Sequence, residues 1–262
     1  MKSFRKYGKA SFNTIVIHGG PGAIGAMAPV AKKLSSYCGI IEPFQTQTSI
    51  AAEVRALKNL LTKESALPVT LIGHSWGGWM GIIFAAHYPA YVKKLILVGT
   101  GPLDEKYAAQ IMRTRMLRLN NAKKKQVQLI IEKLKDPKTK NSEIKKLEKL
   151  IVTIDSYRPV YYTPAQQFNA KVFRKVWDEG SKLRSTNKLL KLCAKIKCPI
   201  TVIHGDFDPH PFQGVKKPLA AILPKLCKFI LLKKCGHTPW IEKEARDKFY
   251  EILEKEVLAK PK

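Results

Sequence analysis

The chain has 262 residues, long enough for one large α/β domain or for a core with an inserted subdomain. At 45% hydrophobic and 26% charged, with 16 Gly and 16 Pro, its makeup is that of a packed globular protein and excludes a wholly disordered one. The 47 Lys+Arg against 20 Asp+Glu give a net charge of +27, which bears on solubility and anionic partners rather than on fold; no nucleic-acid-binding motif accompanies it, so nucleic acid is not an expected partner.

Along the chain, the first strand signal is Thr14-Ile15-Val16-Ile17, a β-branched apolar run that stops at Gly19-Gly20-Pro21-Gly22. A helix is predicted over Met27 to Tyr37, then a short buried strand at Gly39-Ile40-Ile41 closed by Pro43. Ser49 can cap a helix whose apolar stripe is Ile50, Val54, Leu57 and Leu61. Val69-Thr70-Leu71-Ile72 reads as a buried strand entering Gly73-His74-Ser75-Trp76-Gly77-Gly78, with a helix from there to His87. Leu95 to Val98 is the next strand. Strands that are apolar throughout and alternate with helices predict a mostly parallel sheet covered on both faces.

The pattern changes from Lys106 to Lys197, where 24 Lys/Arg face 7 Asp/Glu and helical spacing dominates, for example over Gln126–Leu134 and Glu143–Ile154. No strong strand is predicted there. Strand and helix alternate again with Ile200–Ile203, a helix over Val215–Ile222, the strand Phe229–Leu232 and a last amphipathic helix from Ile241 to Leu258, followed by a tail expected to fray. The division this implies is a core of residues 1–103 and 198–262 with an inserted helical cap at 104–197.

Five cysteines, Cys38, Cys193, Cys198, Cys227 and Cys235, are odd in number and fit no metal spacing, so free reduced thiols and a cytoplasmic setting are expected. No signal-peptide stretch follows the basic first residues, and no run of about 18 apolar residues suggests a membrane span.

The chemistry-bearing motif is Gly73-His74-Ser75-Trp76-Gly77, a G-x-S-x-G sequence between a buried strand and a helix. A serine on that sharp turn is forced out of the sheet, and the helix N-terminus favours negative charge developing beside it. A hydroxyl needs a base to take its proton. Of six histidines, His237 is preferred, because it lies in the loop after the last strand, and strand-end loops of such sheets converge on one crevice; His210 is the second choice. His74 and His87 read as packing residues, His18 and His204 as loop braces. The base needs a carboxylate, for which Asp206 and Asp208 follow strand Ile200–Ile203 in a loop stiffened by Pro209 and Pro211. Asp208 is preferred. For the oxyanion, the backbone N–H of Trp76 and one from the His18-Gly19-Gly20-Pro21-Gly22 turn, assigned to Gly20, are the expected donors. Pro21 and the lack of a following Lys-Ser/Thr argue against a phosphate-binding loop.

These motifs, together with Gly205-x-x-Asp208 and Gly236-His237-x-Pro239-x-x-Glu242, resemble the α/β-hydrolase superfamily over the whole chain except the middle insertion, which resembles its variable cap. The H-G-G-P-G turn and the tryptophan after the serine are similar to proline iminopeptidases and their relatives. The resemblance implies a Ser75–Asp208–His237 triad with oxyanion donors at Gly20 and Trp76. With about thirteen residues before Thr14, the sheet is expected to be shortened at its N-terminal edge. Aminopeptidases of the group hold the substrate amine with cap carboxylates. The acids available here are Glu132, Asp136, Glu143, Glu148, Asp155, Asp178 and Glu179, none in a matching motif, and a basic cap suits a neutral or anionic acyl substrate better.

The expected function is therefore hydrolysis of an ester or amide of a small molecule through an acyl-enzyme, with no metal or organic cofactor. Proline iminopeptidase chemistry is one alternative, and a non-catalytic binding protein for an anionic partner is another. A lipase-like cap is a further possibility: the aromatic residues Tyr157, Tyr161, Tyr162, Phe168, Phe173 and Trp177 could line an acyl pocket or form a small core of their own. Oligomeric state is not readable from the sequence.

Overall fold

The apolar runs of the sequence pair side by side. In a computed structural model describing residues 3–135, 141–161 and 167–259, the strands are β1 (Phe4–Tyr7), β2 (Phe12–Ile17), β3 (Ala23–Ile24), β4 (Gly39–Pro43), β5 (Val69–His74), β6 (Val92–Val98), β7 (Gln167–Phe168), β8 (Ile200–Gly205) and β9 (Cys227–Leu232). Seven make one sheet in the order β1-β4-β2-β5-β6-β8-β9, parallel throughout except for β1, which runs antiparallel to β4. The helices are α1 (Ala28–Leu34), α2 (Ile50–Glu64), α3 (Trp76–His87), α4 (Ala108–Leu117), α5 (Asn121–Lys135), α6 (Asn141–Asp155), α7 (Ala170–Ser185), α8 (Lys188–Cys193), α9 (Gln213–Ile222) and α10 (Arg246–Leu258).

Side-chain alternation along the strands sorts the core into two clusters. Ile15, Ile17, Leu71, Leu95, Leu97 and Val202 pack against α2, α3, α8 and α9. Val16, Ile72, Ile96, Val98 and Ile203 point the other way, toward α1 and α10. Both faces are covered, so central strands show no polar alternation, as the sequence led one to expect.

Two local features depart from the sequence reading. Strand β1 precedes the first predicted strand; its signal is masked because Arg5 and Lys6 sit on an edge strand, where charge is tolerated and discourages edge-to-edge pairing. Lys6 pairs with Glu64 at 2.8 Å, and Tyr7 donates to the fully buried Glu42 at 2.7 Å. In the segment between β6 and β8, expected to be helical, β7 forms a two-residue antiparallel pair with β3, tying that segment to the glycine turn after β2. Asp136, Tyr162 and the tail residues Lys260–Lys262 lie outside the described residues. The five cysteines are unpaired, and burial pushes the Cys193 thiol up to about 12.

Candidate active site

Strand β5 ends at His74, and helix α3 begins at Trp76. Ser75 between them has φ 53 and ψ −118, a positive φ that costs a non-glycine residue about 1–3 kcal/mol and persists only where the surroundings fix it. The surroundings do fix it. Gly73 and Gly77 approach so closely that a Cβ on Gly73 would strike the Gly77 carbonyl, and one on Gly77 the Ile17 carbonyl. Ser75 also donates its N–H to Val98 O at 2.9 Å. The serine therefore stands at the C-terminal edge of the parallel sheet, where loops from several strands meet.

The loop after β2 lies directly over it. A Cβ on Gly19 would sit 3.1 Å from Ser75 Cβ, and Gly20 holds φ 63 in the same turn. Gln45 bridges the two walls: its Nε2 donates to His18 O at 3.0 Å while its Oε1 accepts from Trp76 Nε1 at 2.7 Å. Sequence reading passed over Gln45, which lies in no motif. Gly20 and Trp76 are thus held on neighbouring segments beside Ser75, with Trp76 in the first helical turn, where backbone N–H groups lack intrahelical partners.

The acid and the base come from the loops after β8 and β9. His237 Nδ1 lies 2.8 Å from Asp208 Oδ2, and Asp208 is inaccessible to solvent through its side chain. A proton donated from Nδ1 to Asp208 leaves Nε2 as the lone pair, the tautomer a general base needs. Burial alone would lower the His237 imidazole, but the Asp208 charge and hydrogen bond outweigh it and raise its pKa above the ordinary 6.5. Burial opposes the Asp208 charge as well. His237, His210 and His204 surround it and together hold the carboxyl well below its ordinary range. Asp206 is exposed in the same loop and accepts from Cys235 N at 3.3 Å, as a loop brace would.

His210 sits on the other side of the acid. Its N–H and Nδ1 lie 2.9 and 2.8 Å from Asp208 Oδ1, and its ring stacks on that of His237 with centroids 4.2 Å apart. Burial, then the neighbouring His237, lowers His210 to about 4, so it is neutral at pH 7. His204, 3.3 Å from Asp208 Oδ2, bonds the His210 carbonyl at 2.7 Å. Asp208, His210 and His237 have donor atoms within 4.8 Å of one another, close enough to hold a metal ion, but here both imidazole Nδ1 atoms are engaged by the carboxylate. His74 is wedged edge-on against Trp240 and bonds the His237 carbonyl, and burial, then the nearby His237, drops it to about 3.

Two further carboxylates set the His237 loop, neither of them assigned a role in the sequence reading. Glu242 is fully buried; its Oε1 accepts from Gly236 N and Tyr157 N, both at 2.8 Å, and its Oε2 from Arg158 N at 2.7 Å. Asp155, at the end of α6, takes the His237 N–H on its backbone carbonyl at 2.9 Å, while its side chain is gripped by Arg115 at 2.8 and 2.5 Å. The helical segment thus fastens the His237 loop from above.

Ser75, His210 and His237 open into one cavity of about 500 Å³. Its far wall is apolar, with Ile111, Met112 and Ile151 from α4 and α6 and Phe173 and Trp177 from α7. Of the aromatic residues singled out in the sequence, Phe168, Phe173 and Trp177 line this cavity; Tyr157 packs on Phe207 and Tyr161 donates to the Trp240 carbonyl. The acids on the wall are Glu148 and the Arg115-bound Asp155.

The family described as serine aminopeptidase, S33, matches residues 44–244, more than half of the chain. The chain belongs to this family. Among solved structures, an α/β-fold hydrolase of Bacillus anthracis matches with a TM-score of 0.71 at 14% identity over 96% of this chain and 94% of that one. The monoacylglycerol lipase of Paleococcus ferrophilus matches at 0.63 and 14% identity over 97% of both chains. MenH of S. aureus matches at 0.62 and 18% identity, also over 97% of both. At these identities the structures speak for the α/β-hydrolase fold alone. The cis-3-alkyl-4-alkyloxetan-2-one decarboxylase of Shewanella oneidensis is 42% identical over 45 residues, which span 17% of this chain and only 13% of that protein. This member of the S33 family is an α/β-hydrolase enzyme, and no helix among its described residues is long and apolar enough to cross a membrane.

Proposed function

We propose that this chain hydrolyses esters of apolar acyl groups through an acyl-enzyme on Ser75, with His237 as general base, Asp208 as its orienting acid, and the N–H groups of Gly20 and Trp76 as the oxyanion site. In this reading residues 1–103 and 198–262 are the core, and 104–197 are the cap that walls the acyl pocket. His237 Nε2 takes the Ser75 proton as Oγ attacks the ester carbonyl. The carbonyl oxygen becomes an oxyanion facing the two N–H groups, and collapse of this intermediate expels the alcohol, protonated by His237. Water then attacks the acyl carbonyl as His237 takes its proton, and collapse breaks the acyl–Oγ bond, releasing the acid while His237 returns the proton to Ser75 Oγ.

The observation that carries the reading is the strained Ser75 sharing one largely apolar cavity with a His237 whose Nδ1 is bound to Asp208. An ester of a medium-length acyl chain fits that wall. Of the two acids on that wall, Asp155 is already bound by Arg115, so an N-terminal amine would be left with Glu148 alone among the lining carboxylates. Turnover of p-nitrophenyl esters from acetate to decanoate, measured beside a prolyl arylamide, tests this. kcat/KM should rise with chain length by roughly fourfold per added methylene until the cavity fills, as about 0.8 kcal/mol of burial per CH2 implies. A chain that cleaves the prolyl arylamide better than any of the esters is an aminopeptidase, and the ester reading falls.

A further inference from the structure

Helix α7 has two working faces. Phe173, Arg174, Trp177 and Arg184 face the Ser75 cavity, while Glu179, Lys182, Leu183 and Thr186, spaced i, i+3, i+4 and i+7, face a second and larger cavity of about 740 Å³. That cavity is a groove between α7 and α8 on one side and α2 and α3 on the other. It shares no residue with the first cavity.

The groove is built of two unlike parts. Its floor is apolar: Ile50 and Val54 of α2, Ile83 of α3, Leu183 of α7 and Leu192 of α8. Its rim is cationic: Arg55, Lys182, Lys188, Lys191 and Lys195. None of these five pairs with a carboxylate among the described residues. Glu179, which also lines the groove, has an oxygen taken by the Ile50 N–H at 2.8 Å, where it serves the start of α2.

A lysine-rich surface alone would not set this place apart. Some basic side chains elsewhere are matched, such as Lys94 and Lys228 with Glu256 and Arg184 with Glu105, and others are not; what sets this place apart is that its five cations ring one apolar concavity. Five unmatched cations around one concavity repel one another, and an anion placed among them relieves that repulsion. The floor beneath asks for hydrocarbon. A concave floor also favours a single chain lying in it over a membrane surface, which would need its apolar side chains to protrude.

We propose that this groove binds a long-chain carboxylate, with the hydrocarbon on the Ile50–Ile83–Leu183 floor and the carboxylate among the rim cations. The site is separate from the Ser75 cavity, and its occupancy does not depend on turnover.

The test uses the full-length Ser75→Ala protein, so that no probe is consumed. 11-(Dansylamino)undecanoic acid is titrated by fluorescence at low salt and then displaced. Dodecanoate is expected to displace it at least tenfold better than dodecanol, and inorganic phosphate at millimolar concentration is expected not to displace it. The triple variant Lys188→Glu, Lys191→Glu, Lys195→Glu, whose changes are all on exposed side chains, should weaken the probe at least tenfold, whereas Arg174→Glu in the Ser75 cavity should leave it unchanged. Equal displacement by dodecanol, with the triple variant still binding, means an apolar crevice with no anion site and overturns the proposal. Displacement by phosphate alone means an anion site without a chain and does the same. Loss of binding in Arg174→Glu but not in the triple variant places the probe in the Ser75 cavity and also overturns it. Because the readout is binding, a failure here leaves the ester reading standing, and an inactive Ser75 would leave this one standing.

Discussion

The sheet and the helical segment between β6 and β8 are held together by different physics. In the sheet, neighbouring residues such as Leu95 and Ile96 bury on opposite faces into two large apolar clusters. In the helical segment the separate apolar cluster is small, with Leu119, Val127 and Ile154 at its centre, and much of the fastening is polar: Arg115 on Asp155, Glu242 on the Tyr157 and Arg158 N–H groups, and Arg118 on the Ile154 and Phe207 carbonyls at 3.0 and 2.6 Å. The His237 loop is where the two regions meet, since His237 takes its hydrogen bond to Asp208 from the sheet side and its backbone anchor from Asp155. Apolar packing tolerates small volume changes at modest cost, whereas a buried polar tie that loses one partner leaves the other stranded. The segment over the site should therefore be the part most easily unfastened, and unfastening it should disturb His237 before it disturbs the sheet.

The largest effect is expected on the sheet side of that junction. Asp208→Asn keeps the shape of the loop but offers His237 an amide in place of the charge, so kcat should fall roughly 10⁴-fold, or about 5.5 kcal/mol, with the melting temperature little changed. Next comes the polar tie itself. Arg115→Ala leaves the buried Asp155 carboxylate without its guanidinium and should cost about 3–5 kcal/mol; hydrogen exchange should speed up in α6 and the His237 loop while β5 and β6 stay protected. Uniform loss of protection, sheet included, would mean that the two regions unfold as one.

A smaller effect is expected at His210. Because it is neutral at pH 7, its removal takes away a hydrogen bond to Asp208 and a stacked ring, not a charge. His210→Ala should lower kcat about tenfold, a loss of about 1.4 kcal/mol. In the proposed mechanism His237 acts as the neutral imidazole, so activity should fall as pH drops through its raised pKa, and the acid limb of the wild type should lie above 6.5. Without the His210 donor the Asp208 charge bears more fully on His237, and that limb should move further up, with His210→Asn recovering part of the shift. A limb that stays put in His210→Ala would make His210 a packing residue only.

The smallest effect lies far from the junction. Glu256 binds Lys94, Lys228 and Thr201 at 2.8, 2.7 and 2.9 Å, and these bonds, working against burial, hold its carboxyl down to about 2. A depressed carboxylate adds stability above its ordinary value of 4.5, and that stability is lost as pH falls toward 2. Glu256→Gln should therefore cost about 1 kcal/mol at pH 7 and progressively less as pH falls through that window, as urea unfolding would show.

What the sequence revealed follows the same division. Two-sided apolar strands and the Gly73–Gly77 turn announce themselves through residue type alone, and the order Ser75, Asp208, His237 follows from which loops end which strands. Strand β1 was hidden because edge strands can carry Arg5 and Lys6. His210 was the second choice for the base, since spacing alone cannot tell which ring faces the serine. Gln45, Arg115, Asp155 and Glu242 were not singled out as parts of the site. Their partners lie 27 or more residues away for Gln45, 40 for the Arg115–Asp155 pair, and 84 or 85 for two of the three Glu242 bonds, the third being to Gly236 six residues back, and no local pattern encodes the distant meetings.

The central claim is that Ser75, with His237 and the oxyanion donors assembled around it, is a working nucleophile. The most direct measurement is the intact mass of the protein after treatment with a fluorophosphonate, run beside Ser75→Ala. The account predicts one adduct per chain that disappears in the variant. No adduct on the wild type, or an adduct that survives in Ser75→Ala, would contradict it.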